Sequence, residues 1–317
     1  MEPTLSKLEY THIEKPTNDI LKYIDNRRKG IVKSLKTKWG KFNRQCMGGI
    51  EPNAIYTIAG ISGSGKSSFA NSLETDLFDL NPREDFIVLS FSFEMLSSKQ
   101  VGRKLSYKTK KTTSELYSGG STKDKIEDED FNSLIKHSET IRKYPIYYVD
   151  RPGTVDQIRN TILDFAKQSF AKGKWLIIFF DHTLLTRGKL GEKERETLAD
   201  LQRLFMEVKK YNRNTIIELS QMNREIEDKE RLNNSSLHYP VRRDLFGGDS
   251  VFQASDYVIV LHRPELLGIR SYGQSNLPVK DLVYMHFLKV REGEPKILVF
   301  KNNLKYNSIE ELSINEI

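Results

Sequence analysis

The segment Gly60-Ile61-Ser62-Gly63-Ser64-Gly65-Lys66-Ser67 constrains this chain more than any other, because it fits G-x-x-x-x-G-K-[ST] at every specified position. Its glycines let the backbone turn tightly and aim several N–H groups at one anion, and a helix starting near Ser67 adds its positive dipole end. Lys66 is placed to reach the β- and γ-phosphates of a nucleotide, and the Ser67 hydroxyl to hold Mg²⁺. Gly60, Ser62, Gly63, Ser64, Gly65, Lys66, Ser67 and Ser68 are therefore the expected nucleotide contacts. Context supports the motif. Residues 54–58 read as a buried strand, and Phe69, Leu73, Leu77 and Leu80 recur at helical spacing downstream. A Gly/Ser linker would lack both flanks.

At 317 residues the chain is long enough for one large α/β domain with a short appendage. A single cysteine, Cys46, excludes an internal disulfide framework and a cysteine metal cluster, and points to a reducing compartment. The N-terminus carries no basic-then-apolar signal pattern, and the longest apolar run, residues 175–180, is far too short to span a bilayer. The expectation is a soluble, cytoplasmic protein. The net charge of +7 is uneven: residues 1–44 hold eleven basic side chains against five acidic ones. Such an arm suits nucleic acid, a solvated helix face or an acidic neighbouring subunit equally well.

Residues 16–19 resemble a helix start, with Ile20, Leu21 and Ile24 as an apolar stripe ended by Gly30. Further apolar runs at residues 86–91, 144–149, 175–180, 215–220 and 257–261 read as strands, and residues 283–290 with 296–300 as a hairpin. Helical patterns fall between them: residues 97–143 read as mostly helical, with a charged interruption at 123–130, and residues 155–170 and 192–211 are amphipathic. Continuous apolar strands alternating with helices predict an α/β fold, a mostly parallel sheet covered by helices on both faces. Polar residues recur at the strand ends, so the site is expected along the sheet's carboxyl edge.

Three of those ends supply what phosphoryl transfer to water needs beyond the phosphate cradle. Asp181, at the tip of an apolar strand, suits the acid that holds Mg²⁺ through its water shell. Glu94, just past the strand next in sequence to the phosphate loop, is the candidate to polarise the attacking water. Gln221 ends its own strand and is placed to hydrogen-bond the γ-phosphate and pass its loss to the following loop, residues 225–249.

Several ordered blocks resemble the DnaB-like replicative helicases, over about residues 31–305. The phosphate loop is followed by Phe91-Ser92-Phe93-Glu94-Met95, similar to the family's block with the catalytic glutamate. The apolar strand ending at Asp181 comes next, then Leu219-Ser220-Gln221-Met222-Asn223-Arg224, similar to the sensor motif. Asp256 to Arg263 resembles a late strand, and Lys289-Val290-Arg291 a Lys-x-Arg pair on a hairpin. This resemblance implies a RecA-like P-loop NTPase core at 46–305, preceded by a basic linker helix within 1–45 and followed by a C-terminal tail at 306–317. It implies a hexameric, ATP- and Mg²⁺-dependent ring in a bacterial or phage-infected cell, moving 5′ to 3′ on single-stranded DNA during replication, with a primase or loader as candidate partner. Lys289 and Arg291 would act in trans on the neighbour's γ-phosphate, and Arg263 would face the nucleotide. DNA would be tracked through its backbone by the loops after Asp181 and Gln221, with Arg187 and Lys189 in the first and Arg224, Arg231, Arg242 and Arg243 in the second. The alternative is a RecA- or KaiC-like ATPase that serves as a DNA-binding loader, recombination mediator or switch without unwinding. His182 stands where many family members have tyrosine.

Overall fold

The computed structural model describes residues 9–119, 125–211 and 213–312. Two compact units make up the chain, Met1–Ser34 and Leu35–Ile317. In the first, α1 (Glu14–Arg28) starts two residues earlier than the sequence pattern suggested, because Pro16 falls in its first turn, where a missing N–H costs nothing. Glu14 opens the helix and Arg27 and Arg28 close it, in keeping with the helix dipole. None of its residues is buried, and Ile20, Leu21 and Ile24 are exposed.

The second unit runs α2 (Gly40–Gln45), β1 (Ile55–Gly60), α3 (Lys66–Leu80), β2 (Phe86–Ser92), α4 (Ser97–Thr109), α5 (Thr113–Tyr117), α6 (Asp128–Ile141), β3 (Ile146–Val149) and α7 (Val155–Lys167). It continues through β4 (Trp175–Asp181), α8 (Glu194–Val208), β5 (Asn214–Gln221), α9 (Lys229–Asn233), α10 (Gly248–Ala254), β6 (Tyr257–His262), β7 (Leu282–Val290), β8 (Lys296–Asn303) and β9 (Ser308–Glu311). The sheet order is β3-β2-β4-β5-β1-β6-β7-β8-β9. The strands from β3 to β6 in that order are parallel, and β7, β8 and β9 add as an antiparallel meander.

Strand alternation sorts most of the buried residues into two large cores, one per face, with two smaller clusters around Val258 and Tyr272. Phe86, Val88, Ile177, Phe179, Ile217 and Leu219 face α2 and α3, packing with Trp39, Phe42, Phe69, Leu73 and Leu77. Ile87, Leu89, Ile178, Phe180 and Ile216 face α7 and α8, packing with Ile158, Ile162, Leu201 and Phe205. Because both faces are covered, the strands carry no polar side and read as unbroken apolar runs.

The expected domain limits move at both ends. Leu35, Trp39, Phe42 and Cys46 are all buried in the first core, so the compact unit starts at Leu35 and not at residue 46. Trp39 stacks on Phe69 at 4.7 Å and donates its ring N–H to the Ile309 carbonyl at 3.0 Å. Residues 308–311 of the expected tail are β9, whose Glu311 carboxylate accepts the Lys41 and Phe42 amides at the start of α2. Residues 313–317 of that tail, like 1–8 of the arm and 123–124 of the charged interruption, lie outside the described residues. Leu80, expected on the apolar stripe of α3, is 44 % exposed at the helix end.

One buried acid sits at the centre of the sheet. Glu218 on β5 is fully buried, accepting from Thr57 Oγ1 at 2.6 Å and Gln202 Nε2 at 2.7 Å. Burial pushes its carboxyl up to about 7 from 4.5, while these two hydrogen bonds pull it down. The folded state thus holds the proton more tightly than the unfolded chain, and stability is lost as pH rises from 4.5 through about 7. Replacing Glu218 with Gln removes this titration. Urea unfolding should show the variant gaining about 3 kcal/mol relative to wild type between pH 4.5 and pH 8; a pH-independent difference would contradict the assignment.

Candidate active site

The phosphate loop leaves β1 at Gly60 and enters α3 at Lys66. Gly63 and Gly65 take φ of +76° and +98°, a region that side-chain-bearing residues enter at a cost. A Cβ on Gly60 would lie 2.3 Å from Ser64 Oγ and 2.6 Å from the Leu261 carbonyl, and one on Gly65 would meet Leu304 at 2.6 Å. Lys66 Nζ folds onto the loop's own carbonyls, 2.7 Å from Gly60 O and 3.0 Å from Ile61 O. Burial lowers its pKa, against the pull of Asp181 and Glu94. Ser68 Oγ reaches Asn307 Oδ1 at 3.1 Å, whereas Ser62 is exposed. Arg263, just after β6, donates to Gly63 O at 2.9 Å, so this residue from far along the chain does meet the loop.

Parallel register brings the polar strand ends to one edge of the sheet, within about two residues of a common level. Ser92 pairs with Asp181 across β2 and β4, and Gly60 with Gln221 across β1 and β5. Glu94 lies two residues past β2 and is exposed, and its charge acts on Asp181, Lys66 and His182 together. Burial raises the Asp181 carboxyl to about 6, with Glu94 adding to the rise while Ser67, Arg103 and Gln100 oppose it. Its Oδ1 is buried without a protein partner. His182 follows through a cis peptide, its ring 3.4 Å from Gln221 Nε2 and its pKa lowered by burial. The Gln221 carbonyl takes the Phe246 amide at 3.0 Å, and Asn223 bonds Arg243 O and Leu245 O, so the strand end is tied to both sides of the following loop.

Lys289 and Arg291 stand elsewhere. β7 runs antiparallel to β6 and pairs Val258 with Lys289, which puts both residues beside the start of β6. Because β6 is parallel to β1, that is toward the amino edge of the sheet, about 10 Å along the strands from Gly60 for Lys289 and about 17 Å for Arg291, at about 3.3 Å per residue. There Arg291 pairs with Asp256 at 2.6 Å and remains half exposed. Lys289 Nζ donates to Phe252 O at 2.6 Å, and burial lowers its pKa.

The basic loop residues divide. Arg187, Lys189, Arg224, Arg242 and Arg243 are exposed on the carboxyl side, with Lys189 near Asp156 at 3.4 Å and Arg242 on Asp249 at 2.6 Å. Arg231, expected to meet nucleic acid, does not face solvent. It is 6 % exposed, gripping both Asp244 oxygens and the Leu237 and Tyr239 carbonyls, because the loop needs an internal counter-charge for a wholly buried Asp244. Sequence reading also passed over Gln100 and Arg103 of α4, both acting on Asp181, and the buried Glu74–Lys104 ion pair. The i, i+3 spacing of Gln100 and Arg103 was the available signal. Arg231→Met should cost about 3–5 kcal/mol by stranding Asp244, and Arg231→Met with Asp244→Leu should recover most of it. Urea unfolding, with hydrogen exchange across residues 223–247, reads both.

A Cβ fits neither Gly60 nor Gly65, orphaned oxygens remain at Ser64 and Asp181, and the described residues contain no cluster of three or more His, Cys, Asp or Glu able to cage a metal. That set suits a phosphate-borne Mg²⁺, which takes only one or two protein ligands. The sequence profile of the DnaB-like helicase C terminal domain matches residues 34–311. Replicative DNA helicase DnaB of Mycobacterium leprae is 29 % identical over 177 residues, covering 55 % of this chain and 27 % of that protein. DnaB of Buchnera aphidicola subsp. Schizaphis graminum is 24 % identical over 239 residues, covering 74 % and 47 %. The chain thus spans about a quarter to a half of the length of the curated relatives it matches. Among solved structures, the ATPase domain of G40P superposes with a TM-score of 0.77 at 17 % identity, covering 96 % of this chain and 100 % of that one, a likeness of fold. With a profile matched over most of its length and a RecA-like core, the chain belongs to the DnaB-like helicase C-terminal domain family.

Proposed function

We propose that this chain is the motor of an ATP-driven DNA helicase that works as a ring, hydrolysing nucleotide where two copies meet. One observation carries the reading: the phosphate loop and the Lys289/Arg291 pair sit on opposite edges of the same sheet, so one copy cannot bring them together. A second copy presenting its amino edge to the first copy's carboxyl edge completes the set. Family membership supports a hexamer, work in the cytoplasm of a bacterial or phage-infected cell, and a primase or loader as the protein partner to test. No described helix is long and apolar enough to cross a membrane.

Ser67 and Asp181 would hold Mg²⁺, which when bound draws charge from the β- and γ-phosphate oxygens. Lys66 leaves the loop carbonyls for the phosphates. Glu94, exposed two residues past the end of β2, orients the attacking water as a base.

 Gln221 and Arg263 lie where the γ-phosphate would be sensed, and the Gln221 backbone bond to Phe246 carries that state into the loop. Arg187, Lys189, Arg224, Arg242 and Arg243 would grip DNA phosphates without reading bases.

Lys66→Ala should abolish nucleotide binding, and Glu94→Gln should keep binding while turnover stops. Arg291→Ala should bind nucleotide normally yet lose about 10³ to 10⁵ in ATPase rate. Mixing Arg291→Ala with Lys66→Ala copies should restore part of the activity, since some interfaces regain both groups; no recovery at any ratio would count against action in trans. Unwinding of a forked duplex separates the helicase from a non-unwinding ATPase. Replacing one exposed loop arginine, such as Arg224→Ala, should lower the salt slope of single-strand binding by about 0.7.

A further inference from the structure

Ser67, Asn71 and Glu74 fall at i, i+4 and i+7 of α3 and share one face of that helix. They line a cavity of about 20 Å³ together with Ser90, Gln100 and Asp181. Asn71 and Glu74 are 4 % and 3 % exposed, and Asn71 Oδ1 and Glu74 Oε1 have no protein partner. Their other polar atoms are committed. Asn71 Nδ2 donates to Gln100 O and Oε1 at 3.0 Å each, and Glu74 Oε2 takes the ammonium of Lys104, itself wholly buried. Two buried acceptors without a donor are costly, and the cavity they line, though walled elsewhere by Ala70, Phe179, Phe180 and Leu219, also carries polar groups of Ser67, Ser90, Gln100 and Asp181.

We propose that this cavity seats one water molecule, which donates to Asn71 Oδ1 and Glu74 Oε1, and that the water makes Asn71 and Glu74 positioning residues for the Asp181 metal site. The size fits, since roughly 10–15 Å³ holds one water. The count fits as well: two orphaned acceptors match a water's two hydrogens, and the third orphan on the cavity, Asp181 Oδ1, is left for the metal's water shell. A cation suits the seat less, because Lys104 already neutralises Glu74 and a further buried charge would be poorly solvated.

The water sets the direction of a relay. With Oδ1 held by the water, the Asn71 amide must point its N–H₂ at Gln100 Oε1. Gln100 then turns its own N–H₂ towards Ser92 Oγ, at 3.1 Å, and Asp181. Were Asn71 to flip, an acceptor would face an acceptor and Gln100 would lose its orientation. The buried Glu74–Lys104 pair thereby acts on the metal carboxylate without touching it. Groups in such a position typically shift metal affinity by about 10–100-fold.

This inference rests on reading Asp181 as the metal carboxylate, so that reading has its own arm in the test. Mn²⁺ binding to the nucleotide-loaded full chain is titrated by electron paramagnetic resonance, and nucleotide binding is measured separately in EDTA. Asn71→Leu, and Glu74→Leu combined with Lys104→Met, should each weaken Mn²⁺ by about 10–100-fold while nucleotide affinity in EDTA holds. Unchanged Mn²⁺ affinity in both, or an equal loss of both affinities, overturns the relay. Asp181→Asn should weaken Mn²⁺ at least as much as either variant; if Mn²⁺ affinity is unchanged, the metal reading itself has failed and the relay with it. Should the variants not fold, a high-resolution crystal structure of the unaltered chain decides. A water peak at hydrogen-bond distance from Asn71 Oδ1 and Glu74 Oε1 supports the seat, whereas no peak, or anomalous signal there after a rubidium soak, overturns it.

Discussion

Parallel pairing from β3 through β6 is the constraint on which the rest of the structure depends. Strands that run the same way deliver all their carboxyl ends to one edge, and the register sets Gly60 level with Gln221 and Ser92 with Asp181. The phosphate loop, Asp181 and Gln221 thus meet without any element being bent to bring them there. The same rule sends the antiparallel β7 back to the other edge, carrying Lys289 and Arg291 away from the site of their own copy. The action in trans proposed for this pair follows from strand direction.

Electrostatics follows from where that edge lies. Asp181 is buried beside Glu94, and both effects push its carboxyl upward, while Lys66 is lowered by the same burial. A site with a poorly solvated acid and a poorly solvated amine is primed for a ligand that brings both positive and negative charge, as a metal-bound triphosphate does. Lys66 resting on Gly60 O and Ile61 O keeps its ammonium satisfied by the loop itself.

Much of this was legible in the amino-acid sequence, for reasons that particular residues show. Motif, flanking strand and flanking helix located the loop because the phosphate cradle demands glycine at 60 and 65, where a Cβ would collide. Strands were legible because covered faces make continuous apolar runs, although burial on both sides hid which residue faced which core. Arg231 misled, since a basic residue in a loop reads the same whether it meets solvent or clasps a buried Asp244 far enough along the chain to escape a local pattern. Trp39 and residues 308–311 were missed as parts of the domain for a related reason: their partners lie about 270 positions away, as the Trp39 bond to Ile309 spells out. Gln100 and Asn71 look like surface amides in sequence, and only their burial shows them to be internal.

The Glu311 carboxylate over the start of α2 ties the last described strand to one of the first helices. During synthesis Trp39 can stack on Phe69 early, but the bonds from Trp39 to Ile309 and from Lys41 to Glu311 form only after about 270 further residues. A nascent chain stalled short of residue 308 would therefore leave this edge of the first core open, with the Trp39 ring N–H and the first amides of α2 unpaired.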